Sequence, residues 1–535
     1  MLQNSYIFNI LKKEFEHDIQ KSLLVFCCAL LVVSILQYIV KNILEISKLP
    51  PGPLGIWPFG ILRFIGHEKH KSLMKLASTY GPLFSCKLGQ QLYVVISDYK
   101  MIREIFKKES MTGRPKTPLY EVLNGAGVIN AEGLLWKDQR RFLHEKLRRF
   151  GMTHFSNNNN KLQNMITNEI SDLLSHLKNE TKTPLDLEPY FAVSVSNVVC
   201  SLLMSVRFTR DDPKFIRFNT MIEEGMRLFG KIQFSDYIPM TKYLPTFQAA
   251  KSQIADNRKE MFEFYREVID EHRRTFDRNN IRDLVDFYLL EIEIAKESGT
   301  EDQLFNGREH DEQIMQVMGD LFSAGMETIK TTLLWLIVFM LRNPNAKKQV
   351  QDELDSVIGR QRMPKYSDLQ YLPHTESTIY EVLRISSIVP LATTHSPLID
   401  EELNGFKIPA GSHVVPLINS VHMDPKLWDS PNDFNPTRFI NDEGKVQKPE
   451  YFIPFGVGRR MCLGDVLARM ELFLFFSSIM HCFDIALPKG SEEPSLNGNP
   501  GVTIHPDNFM VCLKERPLDP ITTDDQTPLR PFGSN

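Results

Sequence analysis

Material for disulfides is the first thing this sequence lacks. Its 535 residues carry seven cysteines: Cys27, Cys28, Cys86, Cys200, Cys462, Cys482 and Cys512. The number is odd and there is no Cys-x-x-Cys pair. That argues against a disulfide framework and for a reducing compartment around the main body. A dominant charge is missing too. Lys and Arg total 62 against 66 Asp and Glu, for a net charge of -4, which speaks against nucleic acid as the main partner. No linker-like stretch interrupts the middle and no segment repeats, so a length that would allow several domains is read as one large one. No flavin- or nicotinamide-binding loop is recognisable, so electrons for any redox chemistry must come from a separate protein.

Long apolar runs are rare, and the exception stands at the N-terminus. Leu23 to Val40 holds no charged residue and is bracketed by Lys21 and Lys41. At about 1.5 Å per residue it spans roughly 27 Å, close to a hydrocarbon core. A cleaved signal would be shorter and would end at a small-residue site, which Ile39-Val40-Lys41-Asn42 is not. The expectation is a membrane anchor over 23–40 behind an N-terminal segment 1–22. Lysines on both sides leave its orientation open. Leu49-Pro50-Pro51-Gly52-Pro53 centres a stiff spacer over 41–60. The main domain is placed at 61–516, and a Pro-, Asp- and Thr-rich tail at 517–535 reads as disordered.

Helical signals dominate the main domain. Glu309 to Arg342 is a long helical stretch stopped at Asn343-Pro344, mostly apolar in its middle. Arg258 to Thr275 is charged at helical spacing and predicts a surface helix. Leu83 to Leu88 and Leu92 to Ser97 predict a hairpin around Gly89-Gln90-Gln91. Asn404-Gly405 predicts a second turn within His395 to Val415. The fold class is mainly α with a small β region.

The richest stretch is Phe455-Gly456-Val457-Gly458-Arg459-Arg460-Met461-Cys462-Leu463-Gly464. A cysteine between glycines, just before a helix, suits a thiolate ligand to haem iron. Glycines let the backbone turn and a flat macrocycle approach. Peptide N–H groups and the helix dipole keep the sulfur anionic. A lone cysteine is also commonly a small buried hydrophobe. A phosphatase-like Cys-x5-Arg nucleophile is excluded by spacing, because Arg469 falls one residue too far. The loop matches Phe-x-x-Gly-x-Arg-x-Cys-x-Gly at every fixed position, Phe455, Gly458, Arg460, Cys462 and Gly464, and so resembles the haem-binding loop of the cytochrome P450 family, microsomal class.

That resemblance extends from the hinge to about Leu513. It implies the P450 fold behind a transmembrane helix, haem b (iron protoporphyrin IX) held by Cys462, and a monooxygenase. Ala324-Gly325-Met326-Glu327-Thr328 resembles the oxygen-activation motif. Ala324 and Thr328 share one helix face, and a threonine hydroxyl bonding the carbonyl four residues back bends the helix. Gly325 is expected to leave room for O2, and Glu327 to feed protons. Glu381, Arg384 and Arg438 look like the family's structural Glu-Arg-Arg triad, although most Glu-x-x-Arg pairs are weak surface contacts. Trp136, Arg140, His395 and Arg460 stand at propionate-donor positions. Pocket candidates by family position are Phe322, Ala324, Val389, Leu391 and Val502.

Lys137, Arg140, Arg141, Lys146, Arg148 and Arg149 form a basic run that would attract an acidic reductase. The implied partners are NADPH–cytochrome P450 reductase, with cytochrome b5 as a further donor, O2, a lipophilic small molecule and the endoplasmic reticulum membrane, with the catalytic domain cytosolic. Tyr237 to Phe247, aromatic and proline-rich, is read as a loop that either packs in the core or dips into the bilayer. Residues 321–335, 386–397 and 451–476 resemble the ecdysteroid 26-hydroxylases of insects. The alternatives are a xenobiotic or fatty-acid monooxygenase and, from another class, a reductase-independent haem-thiolate isomerase or gas binder. Intact Glu327 and Thr328 argue against the last.

Overall fold

The computed structural model describes residues 45–152 and 160–519, with Val33 and Gln37 as isolated helical positions. Apart from those two positions, segment 1–22 and the anchor at 23–40 lie outside the described residues, and so does the tail beyond Asp519.

The helices that build the site are α1 (Gly133–Arg149), α2 (Glu188–Met204), α3 (Pro213–Tyr237), α4 (Pro245–Thr275), α5 (His310–Arg342), α6 (Pro373–Ser386) and α7 (Asp465–Cys482). The sheets are small. β1 (Leu83–Leu88) pairs antiparallel with β2 (Gln91–Ile96), β5 lies parallel on β2 (β5 being His413–Pro416), and β3 (Glu401–Leu403) and β4 (Phe406–Ile408) form a separate hairpin. The turn between β3 and β4 is Asn404-Gly405, both at positive φ, as the sequence predicts.

Helix α5 crosses the interior. Glu309 caps its start by accepting from the amides of Asp311 and Glu312. Asp311 and Glu312 in the first turn and Arg342 in the last complement the dipole. Every residue from Ile329 to Met340 is buried, the mark of a core helix rather than a surface one. It packs along α2, and Gly325 makes that approach possible: a Cβ there would fall 2.9 Å from Val199 Cγ2. Helix packing therefore gives this glycine a use of its own, beside the room for oxygen expected from the sequence. Helix α7 is equally enclosed, buried without a break from Met470 to Cys482.

Other expectations shift. The helix predicted from Arg258 begins at Pro245, where proline suits the first turn. Tyr237 to Phe247 is not one loop. α3 runs through Tyr237, a 3-10 turn occupies Pro239–Tyr243, and α4 starts at Pro245. The proline-rich hinge is no free spacer either. Ser85 donates from Oγ to the Pro50 carbonyl at 2.6 Å and from its amide to Pro51 at 3.0 Å, while the Lys407 amide reaches the Lys48 carbonyl at 2.8 Å. These bonds strap it to β1 and β4. Pro517 and Asp519 are likewise held by Arg360, so the first residues of the tail belong to the packed domain.

Candidate active site

The cysteine loop is built from two sides. Gly458 sits at φ 82° with the Phe106 carbonyl 2.1 Å from where a Cβ would be, and the Arg459 amide donates to that same carbonyl at 3.1 Å. Only glycine fits there. Around the sulfur, the Cys462 amide donates to Phe455 O at 2.9 Å, closing the loop. α7 starts at Asp465 with Gly464 as its cap, three residues after the cysteine. Burial pushes the Cys462 thiol up, while the Gly464 N–H, Arg140 and Arg469 pull it down. The Cys462 side chain is nevertheless exposed. So is Ala324, midway along the otherwise enclosed α5.

On the α5 side, Thr328 Oγ1 donates to Ala324 O at 2.8 Å, and Thr332 repeats the bond to Thr328 O at 2.7 Å. The Thr328 hydroxyl proton is committed to the backbone, which leaves its oxygen free to accept. Glu327 accepts from Thr503 Oγ1 at 2.9 Å and from Thr331 Oγ1 at 3.3 Å. The Ile504 amide bonds the Ile388 carbonyl at 2.8 Å, which lays the segments of Val389 and Val502 side by side. Leu391 and Val389 are half-buried and Val502 is exposed, whereas Phe322 is fully buried, edge-on to Phe218 at 5.9 Å.

A cluster of cations lies at the edge of the loop. Arg460 stacks 4.2 Å over the Trp136 ring and donates to the carbonyls of Thr112, Val128 and Ala131. Burial, then the neighbouring Arg114 and Arg140, pull its pKa down to about 7. Arg114 donates to Ile129 O and Thr394 O, and its pKa falls to about 10 for the same reasons, burial first and then Arg140. Arg140 turns inward to Met461 O at 2.6 Å, away from the basic run to which the sequence assigns it. His395 is buried against Phe106 with both ring nitrogens unpartnered, and burial, then Arg114 and Arg460, hold its pKa well below the usual range. Among the described residues no carboxylate forms an ion pair with Arg114, Arg140 or Arg460. Sequence reasoning misses Arg114. The signal was a lone arginine between Gly113 and Pro115, which only the bridge from Gly113 to Ser396 carries to this place.

Three mutually repelling guanidiniums beside an orphaned imidazole call for an anion. An iron porphyrin brings two carboxylates for them and a metal for Cys462, so the residues fit haem. The chain matches the cytochrome P450 family over residues 50–513. This protein is a cytochrome P450. The P450 is similar to cytochrome P450 18a1 of Drosophila melanogaster, at 61% identity over the whole of both chains. It is also similar to cytochrome P450 2U1 of Rattus norvegicus, at 37% over 84% of this chain and 83% of the relative, and to cytochrome P450 2D6 of Homo sapiens, at 34% over 88% and 94%. The P450 is thus a haem-dependent monooxygenase of predominantly helical fold.

The Glu381-Arg384-Arg438 triad lies behind the loop. Arg384 meets Glu381 through two bonds of 2.8 Å, and Arg438 Nε reaches Glu381 Oε1 at 3.0 Å. Glu381 and Arg384 are wholly buried. On the other side, Asp320 of α5 accepts from the amides of Val128 and Ile129 at 2.8 and 2.9 Å, which fixes the stretch whose carbonyls hold Arg460.

Proposed function

We propose that this P450 hydroxylates, and further oxidises, the side-chain C26 methyl of ecdysteroids such as 20-hydroxyecdysone, inactivating the moulting hormone. The 61% identity to an insect P450 across both whole chains carries the proposal, against 37% for the rat relative. The resemblance of residues 321–335, 386–397 and 451–476 to insect ecdysteroid 26-hydroxylases supports it.

Haem bound through Cys462 supplies the activation of O2: with two electrons and two protons, one oxygen enters a C–H bond and the other leaves as water. The chain does the rest. Arg114, Arg140, Arg460, Trp136 and His395 would hold the haem carboxylates. Exposed Ala324, half-buried Leu391 and Val389, and exposed Val502 are the residues that would meet a lipophilic substrate. Thr328 offers a hydroxyl oxygen fixed by its own helix turn, and Glu327 brings protons to it.

Electrons reach the family's microsomal members from NADPH–cytochrome P450 reductase. Arg141, Arg148 and Arg149 of α1 remain exposed and suit an acidic reductase, or cytochrome b5. The endoplasmic reticulum membrane is the proposed site. Two apolar segments meet at one surface: Trp57 and Phe64 are exposed on one, Met240, Tyr243 and Leu244 on the other. The tip of the β1–β2 hairpin ties them together, Gly89 N to Phe59 O at 3.0 Å and Gln90 N to Tyr237 O at 2.8 Å. Such a face suits a bilayer.

Incubation of the enzyme and reductase with labelled 20-hydroxyecdysone, lauric acid and a drug-like panel, read by mass spectrometry, tests the proposal. A 26-hydroxylated ecdysteroid as main product is expected. Oxidised laurate or drug with an untouched ecdysteroid would favour the alternative, and no NADPH-dependent product at all would sink both.

A further inference from the structure

One lysine stands in the most enclosed part of α5. Lys330 keeps 3% of its side chain exposed, between Ile329 and the run from Thr331 to Met340, all buried. Its ammonium lies 3.1 Å from Glu327 Oε2 and 3.0 Å from Glu188 Oε1 of α2. Glu188 in turn lies 3.3 Å from His505 Nε2, on the short strand Ile504–His505. The two outer members are more accessible than the inner one: the side chains of Glu188 and His505 are 27% and 23% exposed, against 15% for Glu327.

Stability alone does not account for a cation here. Desolvating an ammonium and its partners costs several kcal/mol, and an apolar residue in such a place is commonly as stable or more so. The charge has a geometric effect instead. Glu327 is held from two directions at once, by Lys330 on Oε2 and by the hydroxyls of Thr503 and Thr331 on Oε1. Its carboxyl therefore stays in one place, directly before Thr328 in the chain. Burial alone would pull the Lys330 pKa down, but Glu327 and Glu188 outweigh it and raise it. The grip is thus a charged one. Glu188 is held down to about 2, chiefly by His505, with Lys330 adding to the effect. The outer end of the row is ionised as well.

We infer that Lys330 is a positioning residue for Glu327: gripping Glu327 and Glu188 together, it fixes the proton-delivering carboxyl of the residue that precedes Thr328 and joins it, through Glu188, to the half-buried His505. The inference rests on the proposed role of Glu327 in proton delivery and adds what sets that carboxyl in place.

The test uses the full-length, haem-loaded enzyme with its reductase and 20-hydroxyecdysone, or whichever member of the panel is turned over. Lys330→Met keeps the length and removes the charge. Expected are a fall of about fivefold or more in the share of NADPH electrons recovered in product, a matching rise in hydrogen peroxide, and a changed solvent isotope effect on product formation. Lys330→Arg should recover coupling to within about twofold of the parent. A crystal structure of Lys330→Met provides a readout apart from turnover, and should show the Glu327 carboxyl moved off Thr503. Unchanged coupling with Glu327 still on Thr503 would overturn the inference. Glu327→Gln separates the two layers. If it uncouples while Lys330→Met does not, only the role of Lys330 falls; if Glu327→Gln is fully coupled, the role of Glu327 falls with it. Should Lys330→Met fail to take up haem, Glu188→Gln decides. Without its outer carboxylate, Lys330 draws Glu327 toward itself and coupling drops, whereas parental coupling overturns the inference.

Discussion

Arg384 donates from Nη1 to the His422 carbonyl at 2.8 Å, and this bond connects the buried ion triad to the cysteine loop. His422 Nε2 accepts from the Ile453 amide at 3.1 Å, and the Ile453 carbonyl accepts from Gly456 at 3.0 Å. Glu381 thus reaches the loop of Cys462 through a continuous row of bonds.

Removing Glu381 should therefore cost the haem. Glu381→Ala leaves a buried and a half-buried guanidinium without their counter-charge, a loss of about 3–5 kcal/mol. Haem content per purified protein should fall to near zero, with the polypeptide still expressed. A variant with full haem content would show that the triad does not support the loop.

Acid should loosen the same row. Burial, then Arg384, hold the His422 pKa down to about 3. Above about 6.5 neither folded nor unfolded chain is protonated there, and stability is full. Between about 6.5 and 3 the unfolded chain takes a proton that the folded one refuses, so stability falls as pH falls, by up to about 1.4 kcal/mol per pH unit for this group. His413 and His481, each held down to about 4 by burial, add slope of the same sign. Denaturant unfolding across pH 4–7 should show this slope, and His422→Gln should lower it by at most one proton's worth.

The cation cluster should respond to an anion. Arg460→Met removes one of the three cations of the cluster, and haem affinity should drop at least about tenfold. Haem titration of the apoprotein, followed in the Soret band, reads the difference. Equal affinity in parent and variant would remove Arg460 from the propionate site.

The exposed arginines should matter only to electron delivery. Arg148→Glu with Arg149→Glu should slow reductase-driven turnover by about tenfold at low salt and by less at high salt. Turnover with an artificial oxygen donor should be unchanged. Equal losses in both assays would assign the two arginines to folding instead.

Several features were legible because local sterics fix them. The β1–β2 hairpin, the Asn404-Gly405 turn and the stop of α5 at Pro344 follow from which residues tolerate positive φ or lack an amide. The cysteine loop was legible as a pattern, and its Gly458 is demanded by a single carbonyl of Phe106. The packing use of Gly325 was not legible, because it depends on Val199 from a helix more than a hundred residues earlier.

The long helix up to Arg342, the charged helix through Arg258 to Thr275 and the Thr328 turn were set by sequence alone, through periodicity and hydrogen bonds that reach no more than four residues, and the thiolate candidate was set by its loop pattern. Which charges meet was decided only by the tertiary structure. Arg114 faces Arg460, Lys330 bridges α2 and α5, and His505 closes on Glu188, all across long separations in the chain. Coulomb forces act through space and strengthen as water is excluded, so packing, rather than chain position, determined which residues make up the site.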